Sequence, residues 1–473
     1  MILLPRKRMA MGGGRAFVLV AVLIVILLAS MVALSLMFRL HAEETAAAAG
    51  SGSEQAWAAA MSGVYEAMQI VKGSPAGELD WQDAPGVFRD RLVFDDGAEQ
   101  WYYSVYSMSE PELQQARFGL TDEASKLNIN QATEEMLGRI PRLTPYLVQG
   151  LLDFLDADNT PRPEGAEQEY YDGLAHPYTV LNGPLSTLEE LLLVRGFTPP
   201  LFYGEDANLN FQLDLNEDDG DEQFPPDNGD GKLDYGLRPY LTVSSYDLNE
   251  DNEGVPRTDL NEAEEAVPEG QTPPALLQYI AALRRNKVKI SQPADLLEAK
   301  GKFKDEKDKE EELESGVGKK ELPYLLDQFT TSNEYRLPGL ININTASARV
   351  LQTIPEIDEP LAEAIVAARA HLRSEELRTP AWLYQEDLVD AERFKKIAPY
   401  LTARSYQYHL QVVGYGLPSG RYRVLEAMFD VAGLTPRITY LRDLTRLGLP
   451  FRIEGGAETK KNTVANAGGG PHA

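Results

Sequence analysis

The chain has 473 residues and a net charge of −28, from 45 basic and 73 acidic side chains, which is length for roughly two or three modules. Such acidity opposes binding of the bulk of the chain to phosphate backbones or anionic lipid faces, and it suits solvation and cation binding. With no cysteine, disulfides, thiolate metal sites and cysteine nucleophiles are excluded.

From the N-terminus, the first element is the apolar run Ala16 to Phe38, in which only Ser30 and Ser35 are polar. Its length matches a hydrocarbon core of ~30 Å and predicts one transmembrane helix. Arg6, Lys7, Arg8 and Arg15 precede it, and Glu43 and Glu44 follow. The positive-inside rule then puts the N-terminus in the cytoplasm and the bulk of the chain outside. The run is longer than the apolar core of a cleaved secretory signal, about 7–15 residues. A plain anchor accounts for the hydropathy. The basic leader ending in Gly12-Gly13-Gly14 also resembles the type III prepilin signal, which is cut after the glycine and leaves the helix on the mature protein. The cut would fall between Gly14 and Arg15, where such proteins usually begin with Phe or Met.

Trp57, Met61, Val64, Met68 and Val71 recur at helical spacing and predict an amphipathic helix over 53–72. Gly50-Ser51-Gly52 weakens its join to the apolar run, and Lys72-Gly73-Ser74-Pro75 ends it. Leu92 to Phe94, Asp95-Asp96-Gly97 and Trp101 to Tyr106 read as strand, turn, strand. Tyr406 to Tyr415, Arg421 to Val431 and Arg437 to Leu441 are further strands near the other end. Few strands are stable alone, so the expectation is one α/β domain interrupted by a helical insert, in preference to two independent strand regions. Lys300 to Lys320 and Gly455 to Ala473 read as disordered, the first as a solvated charged helix or loop.

The insert repeats itself. Leu127-Asn128-Ile129-Asn130-Gln131-Ala132-Thr133, running on to Ile140-Pro141, recurs as Ile341-Asn342-Ile343-Asn344-Thr345-Ala346-Ser347, running on to Ile354-Pro355. Asn130 and Asn344 are placed to cap the first helix of each unit. The pattern resembles the helix-hairpin-helix family, many members of which hold DNA through glycine-containing hairpins. Here the hairpins read Pro141-Arg142-Leu143-Thr144 and Pro355-Glu356-Ile357-Asp358. They lack those glycines, and the acids of the second would repel phosphate.

Between the repeats, Asp206 to Glu217 matches a twelve-residue calcium loop. Asp206, Asn208, Asn210, the Gln212 carbonyl, Asp214 and Glu217 fall at the ligand positions, with Phe211 where the turn wants glycine. Asp227, Asn228, Asp230 and Asp234, with Gly231, form the core of a second, incomplete loop. Asp156, Asp158 and Glu167 read as caps and solvated turns. The histidines, His41, His176, His371, His409 and His472, stand in no metal-ligand spacing, and no catalytic constellation emerges.

Taken in order, the leader and apolar helix, the broken α/β domain and the insert resemble the type II secretion minor pseudopilin K family. The most specific segment is Leu127 to Gly196, with Leu152-Asp153-Phe154-Leu155-Asp156-Ala157-Asp158, Gly165-Ala166-Glu167 and Glu189-Glu190-Leu191-Leu192-Leu193-Val194-Arg195-Gly196. The resemblance implies an α+β fold: an N-terminal transmembrane pilin-like helix and a pilin-like α/β domain with an antiparallel sheet, interrupted by a large helical insert of helix-hairpin-helix or SAM-like type. The expected divisions are a leader (1–14), the N-terminal helix (15–75), the split domain (76–125 and 405–453), the insert (126–404) and a tail (454–473). Within the insert lie the two repeated units (126–200 and 340–403), the acidic loop region (204–237) and the charged linker (300–320). The stretch 247–330 exceeds the family pattern. The resemblance also implies a non-enzymatic, single-pass inner-membrane protein with its bulk in the periplasm, processed by the prepilin peptidase. It would join minor pseudopilins I and J and the major pseudopilin at the tip of a pseudopilus that meets secretin or cargo, with structural calcium and no nucleic acid. Ordinary pseudopilins carry Glu at mature position five to neutralise a neighbour's amine; counted from Arg15, this chain has Leu19, which suits a subunit with none above it. The alternative is a membrane-anchored periplasmic DNA-binding protein.

Overall fold

The computed structural model describes residues 14–108, 116–220, 222–262, 267, 272–304 and 309–453, so the leader up to Gly13 and the tail from 454 lie outside the described residues. The apolar run and the amphipathic stretch form one helix, α1 (Gly14–Gly73), of 60 residues. Gly50-Ser51-Gly52 does not break it. Gly52 instead makes room for Arg421, whose Nη1 would lie 2.3 Å from a Cβ at that position. Large apolar side chains are exposed from Val18 to Leu40, and from Ala56 onward one stripe is buried.

Met61, Val64, Met68 and Val71 lie on that stripe, but Trp57 is 41% exposed. Ala56 and Ala60 take the inward place, because the helix there rides directly on Gly414. A Cβ on Gly414 would sit 2.1 Å from the Ala56 carbonyl oxygen, and so close an approach of two backbones excludes an indole.

The sheet runs β1 (Arg91–Asp95), β2 (Gln100–Met108), β3 (Gln407–Leu417), β4 (Tyr422–Asp430) and β5 (Arg437–Asp443), in that order and antiparallel throughout. Strands from the two ends of the chain are therefore direct neighbours, with Tyr106 opposite Gln411 and Gln100 opposite Leu417. Side chains alternate across it. Tyr103, Val105, Leu410, Val412, Leu425 and Phe429 pack under α1, while Tyr106, Val413, Tyr415 and Val424 meet Leu209, Phe211, Leu233 and Tyr235 of the insert. This is an α+β fold whose antiparallel sheet is interrupted by a helical insert.

The insert holds the two expected units and a third that falls in the unplaced 247–330 stretch. Each opens with a two-residue strand in a parallel pair: Leu127–Asn128 with Leu241–Thr242, Thr258–Asp259 with Phe329–Thr330, and Ile341–Asn342 with Leu401–Thr402. In each, the next residue donates its amide to a threonine carbonyl: Ile129 to Thr242, Leu260 to Thr330, Ile343 to Thr402. An asparagine follows each time. Asn130, Asn261 and Asn344 donate Nδ2 to the carbonyls of Leu185, Ile290 and Leu377 at 3.0, 3.1 and 2.8 Å. Their own amides donate to the side chains of Asn128, Asp259 and Asn342.

These asparagines are braces between segments, not helix caps. The caps are Thr133 and Ser347, which accept from the amides of Met136 and Val350. The first unit continues through α2 (Glu134–Gly138) and α3 (Pro145–Leu155), the middle one through α4 (Pro274–Arg285), and the last through α5 (Ala348–Leu351) and α6 (Glu359–Arg369).

The charged segment from Lys300 is also ordered, contrary to expectation. Lys300–Lys304 pairs antiparallel with Glu310–Glu314, setting Lys300 opposite Glu314, Lys302 opposite Glu312 and Lys304 opposite Glu310. Opposite charges facing across a ladder favour a hairpin, and Phe303 anchors it against Tyr279 at 5.1 Å.

Candidate metal centre

The first acidic loop closes on itself. Asp206 accepts from the amides of Asn210 and Phe211 at 3.0 and 3.2 Å, and Glu217 from those of Ala207 and Asp214 at 3.0 and 3.1 Å. Asn208 and Asn210 both direct their amide groups at Asp214 Oδ2, at 2.7 and 2.9 Å. The structure thus gathers Asp206, Asn208, Asn210, Asp214 and Glu217; at Gln212, where the expected ligand atom is the backbone carbonyl, the side chain donates to the Pro450 carbonyl at 2.8 Å. Phe211 adopts the left-handed conformation itself, with φ of 63°, and its ring is buried under the sheet. Burial raises Asp206 to about 6 and Glu217 to about 7.

The second loop does not converge. Asp227 caps the amides of Asp219, Gly220 and Gly229, Asn228 that of Asp230, and Asp230 that of Lys232. Asp234 pairs instead with Arg142 of the first hairpin.

A tighter site lies where caps and solvated turns were expected. Oxygens of Asp153, Asp156 and Glu167 lie within 4.8 Å of one another. Asp153 projects from the last turn of α3, Asp156 caps that helix, and Glu167 precedes the next. Arg162 Nη1 reaches Asp153 at 2.5 Å and Asp156 at 2.7 Å. Both oxygens of Glu167 and Oδ1 of Asp156 are buried with no hydrogen-bond partner.

Burial, and then the charges of Asp153, Asp156 and Asp158, push Glu167 up to about 7. Gly165 is required at the rim, since a Cβ would fall 1.8 Å from Asp153 Oδ2. Three carboxylates against one guanidinium, with oxygens left unpaired, fit a hard divalent cation of calcium type. Asp158 stands apart and caps Thr160 at 2.7 Å. Asp153, the member of the cluster absent from the sequence reading, was signalled by its i,i+3 spacing to Asp156 at a helix end.

Residues 121–203, which enclose this cluster and the first helical unit, match the family model described as type II secretion system protein K. The matched stretch is the segment of the type II secretion protein K family. This is the family its motifs resemble, and the matched segment holds Asp153, Asp156, Gly165 and Glu167 together. Residues 339–402, the last helical unit, match a helix-hairpin-helix motif.

Among solved structures, the chain is similar to the crystal structure of the GspK-GspI-GspJ complex from the enterotoxigenic Escherichia coli type 2 secretion system. The identity is 13% and the TM-score 0.39, over 86% of this chain and 99% of that one. No curated protein matches the chain. In both hairpins a non-glycine residue takes the left-handed place, Arg142 with φ of 70° and Glu356 with φ of 68°. The Glu356 carbonyl is already held by Arg393 at 2.6 Å. Of the expected processing site, Gly14 is the first residue of α1 and the leader before it lies outside the described residues.

Proposed function

We propose that this protein works by assembly and not by catalysis, as a minor pseudopilin anchored by α1 in the inner membrane with its bulk in the periplasm. Joined to I- and J-type partners and to the major pseudopilin, it would prime a pseudopilus at its tip and support export across the outer membrane. The observation that carries this reading is the protein K segment, 121–203, set into a sheet that packs on a helix whose first half, Val18 to Leu40, is bare and apolar. An insert of this bulk suits a cap better than a stacked subunit.

The test is co-expression of the full chain with the I- and J-type pseudopilins of its own host, followed by copurification. A stable ternary species supports the reading, and recovery of the chain alone opposes it. Incubation with prepilin peptidase should release the leader and leave Arg15 as the N-terminus, read by mass; an uncut chain would make α1 a plain anchor. The helix-hairpin-helix match supports a second reading, DNA binding. Tight, salt-sensitive retention of short duplex DNA would favour it over assembly.

We also propose calcium as a structural ion, at Asp153, Asp156 and Glu167 and secondarily in the loop from Asp206 to Glu217. Calcium should raise the melting temperature by about 3 °C or more over chelator. Glu167→Gln should remove most of that gain, and Asp214→Ala a smaller part. An unchanged melting temperature in the parent would reduce both sites to acidic turns.

A further inference from the structure

A cavity of about 190 Å³ separates the insert from the sheet. Phe202, Tyr203, Phe211 and Tyr235 of the insert and Tyr440 of β5 supply aromatic walls, and Glu426 of β4 enters from the sheet. Ser186 and Thr439, both exposed, stand among the lining residues and mark its mouth. Glu426 is 3% exposed.

Its Oε1 accepts from His409 Nε2 at 3.0 Å and Arg238 Nη2 at 2.9 Å. Its Oε2 accepts no hydrogen bond, and Arg442 Nη1 stands 3.9 Å from it. Burial would raise this carboxyl, but the His409 hydrogen bond and the charges around it hold it down to about 2, so it is an anion. Its charge is balanced by Arg238 and Arg442; what Oε2 lacks is a donor. A buried acceptor without a donor costs about 1–3 kcal/mol, more when charged; Glu426 is among the residues that line the cavity, and rings supply its walls.

We propose that this cavity binds an aromatic group carrying an N–H or O–H donor, which is received by Glu426 Oε2. Such a group can arrive as the tryptophan or tyrosine side chain of a partner segment or as a free small aromatic molecule. Aromatic walls select its body and the orphan oxygen its polar edge. Donor-free rings of the same size would fill the space and leave Oε2 as it is.

The probes are indole and its isostere indene, which lacks the N–H, titrated by calorimetry into the full chain held in nanodiscs, with empty nanodiscs as the blank. Indole should bind saturably and about tenfold or more tighter than indene, the scale of one hydrogen bond to a charged acceptor. Thr439→Trp, at the exposed mouth, should abolish indole binding with the melting temperature unchanged. Glu426→Gln should erase the preference for indole over indene. A tryptophan-containing tetrapeptide distinguishes the sources: tighter binding than indole assigns a partner's side chain, and weaker binding a free molecule. Equal affinity for indole and indene, no saturable binding, or full binding by Thr439→Trp would each overturn the proposal.

Discussion

Asp122 ties the sheet to the last helical unit with one carboxylate. Oδ2 accepts from Ser405 Oγ at 2.5 Å, Thr345 Oγ1 at 2.6 Å and Asn342 Nδ2 at 2.9 Å, and Oδ1 from the Ala124 amide at 2.8 Å. Burial is the largest influence, and it lifts the group to about 6 in spite of these donors. An acid whose folded pKa lies above its unfolded 3.8 stabilises fully below the unfolded value and loses that contribution as pH rises through the folded one.

Asp122→Asn removes the titration. The stability of the parent relative to this variant should therefore fall by roughly 2 kcal/mol between pH 4 and pH 7, measured by urea unfolding at several pH values. A flat difference would show that the carboxyl titrates normally. Phe211 illustrates how far a single residue was legible. Its position in a calcium-type loop is plain from spacing, and glycine was expected for the left-handed turn. The sequence could not show that the ring would be held 6.3 Å from Tyr106, a contact with a strand a hundred residues earlier that offsets the backbone cost.

Between elements, the closest approach is α1 on β3. Gly414→Ala should push the helix off the sheet, because the new methyl meets the Ala56 carbonyl and the Ala60 amide nitrogen at 2.1 and 2.4 Å. A loss of about 1–3 kcal/mol is expected in denaturant unfolding, against little change for Gly86→Ala, where a Cβ would meet nothing within 4 Å. The three brace asparagines offer a second comparison. Asn344 is buried and holds Leu377, Ala403 and the Trp382 indole, while Asn261 holds Ile290 from both ends of its amide. Asn344→Ala should thus cost more than Asn261→Ala, both in the range of about 1–3 kcal/mol; the reverse order would place the weight on the middle unit.

The outer units were legible because a seven-residue motif recurs. The middle one was not, since it keeps only Asp259-Leu260-Asn261 and Ala263, and its equivalence lies in hydrogen bonds to distant carbonyls. The hairpin from Lys300 was hidden for a related reason. Charge density suggests solvation, and only strand register reveals that each Lys faces a Glu.

In the whole molecule, the interrupted sheet was readable from strand signals at both ends, because isolated strands need partners. The carboxylate cluster was only half readable, since acids are too common in this chain for any trio to stand out before α3 and the Gly165 turn bring them together. A stop codon before residue 407 should leave α1 and the helical units without β3, β4 and β5. Limited proteolysis of such a chain should cut within 53–72, where the full protein resists.

The same topology bears on synthesis. About 330 residues separate the end of α1 from β3, the central strand on which it rides. At elongation rates of about 5–20 residues per second this leaves Val64, Met68 and Val71 without β3 and β4, with only β2 to meet them, for roughly 15–70 s. A helper that shields nascent apolar helices has that interval in which to engage the helix before its own sheet is complete.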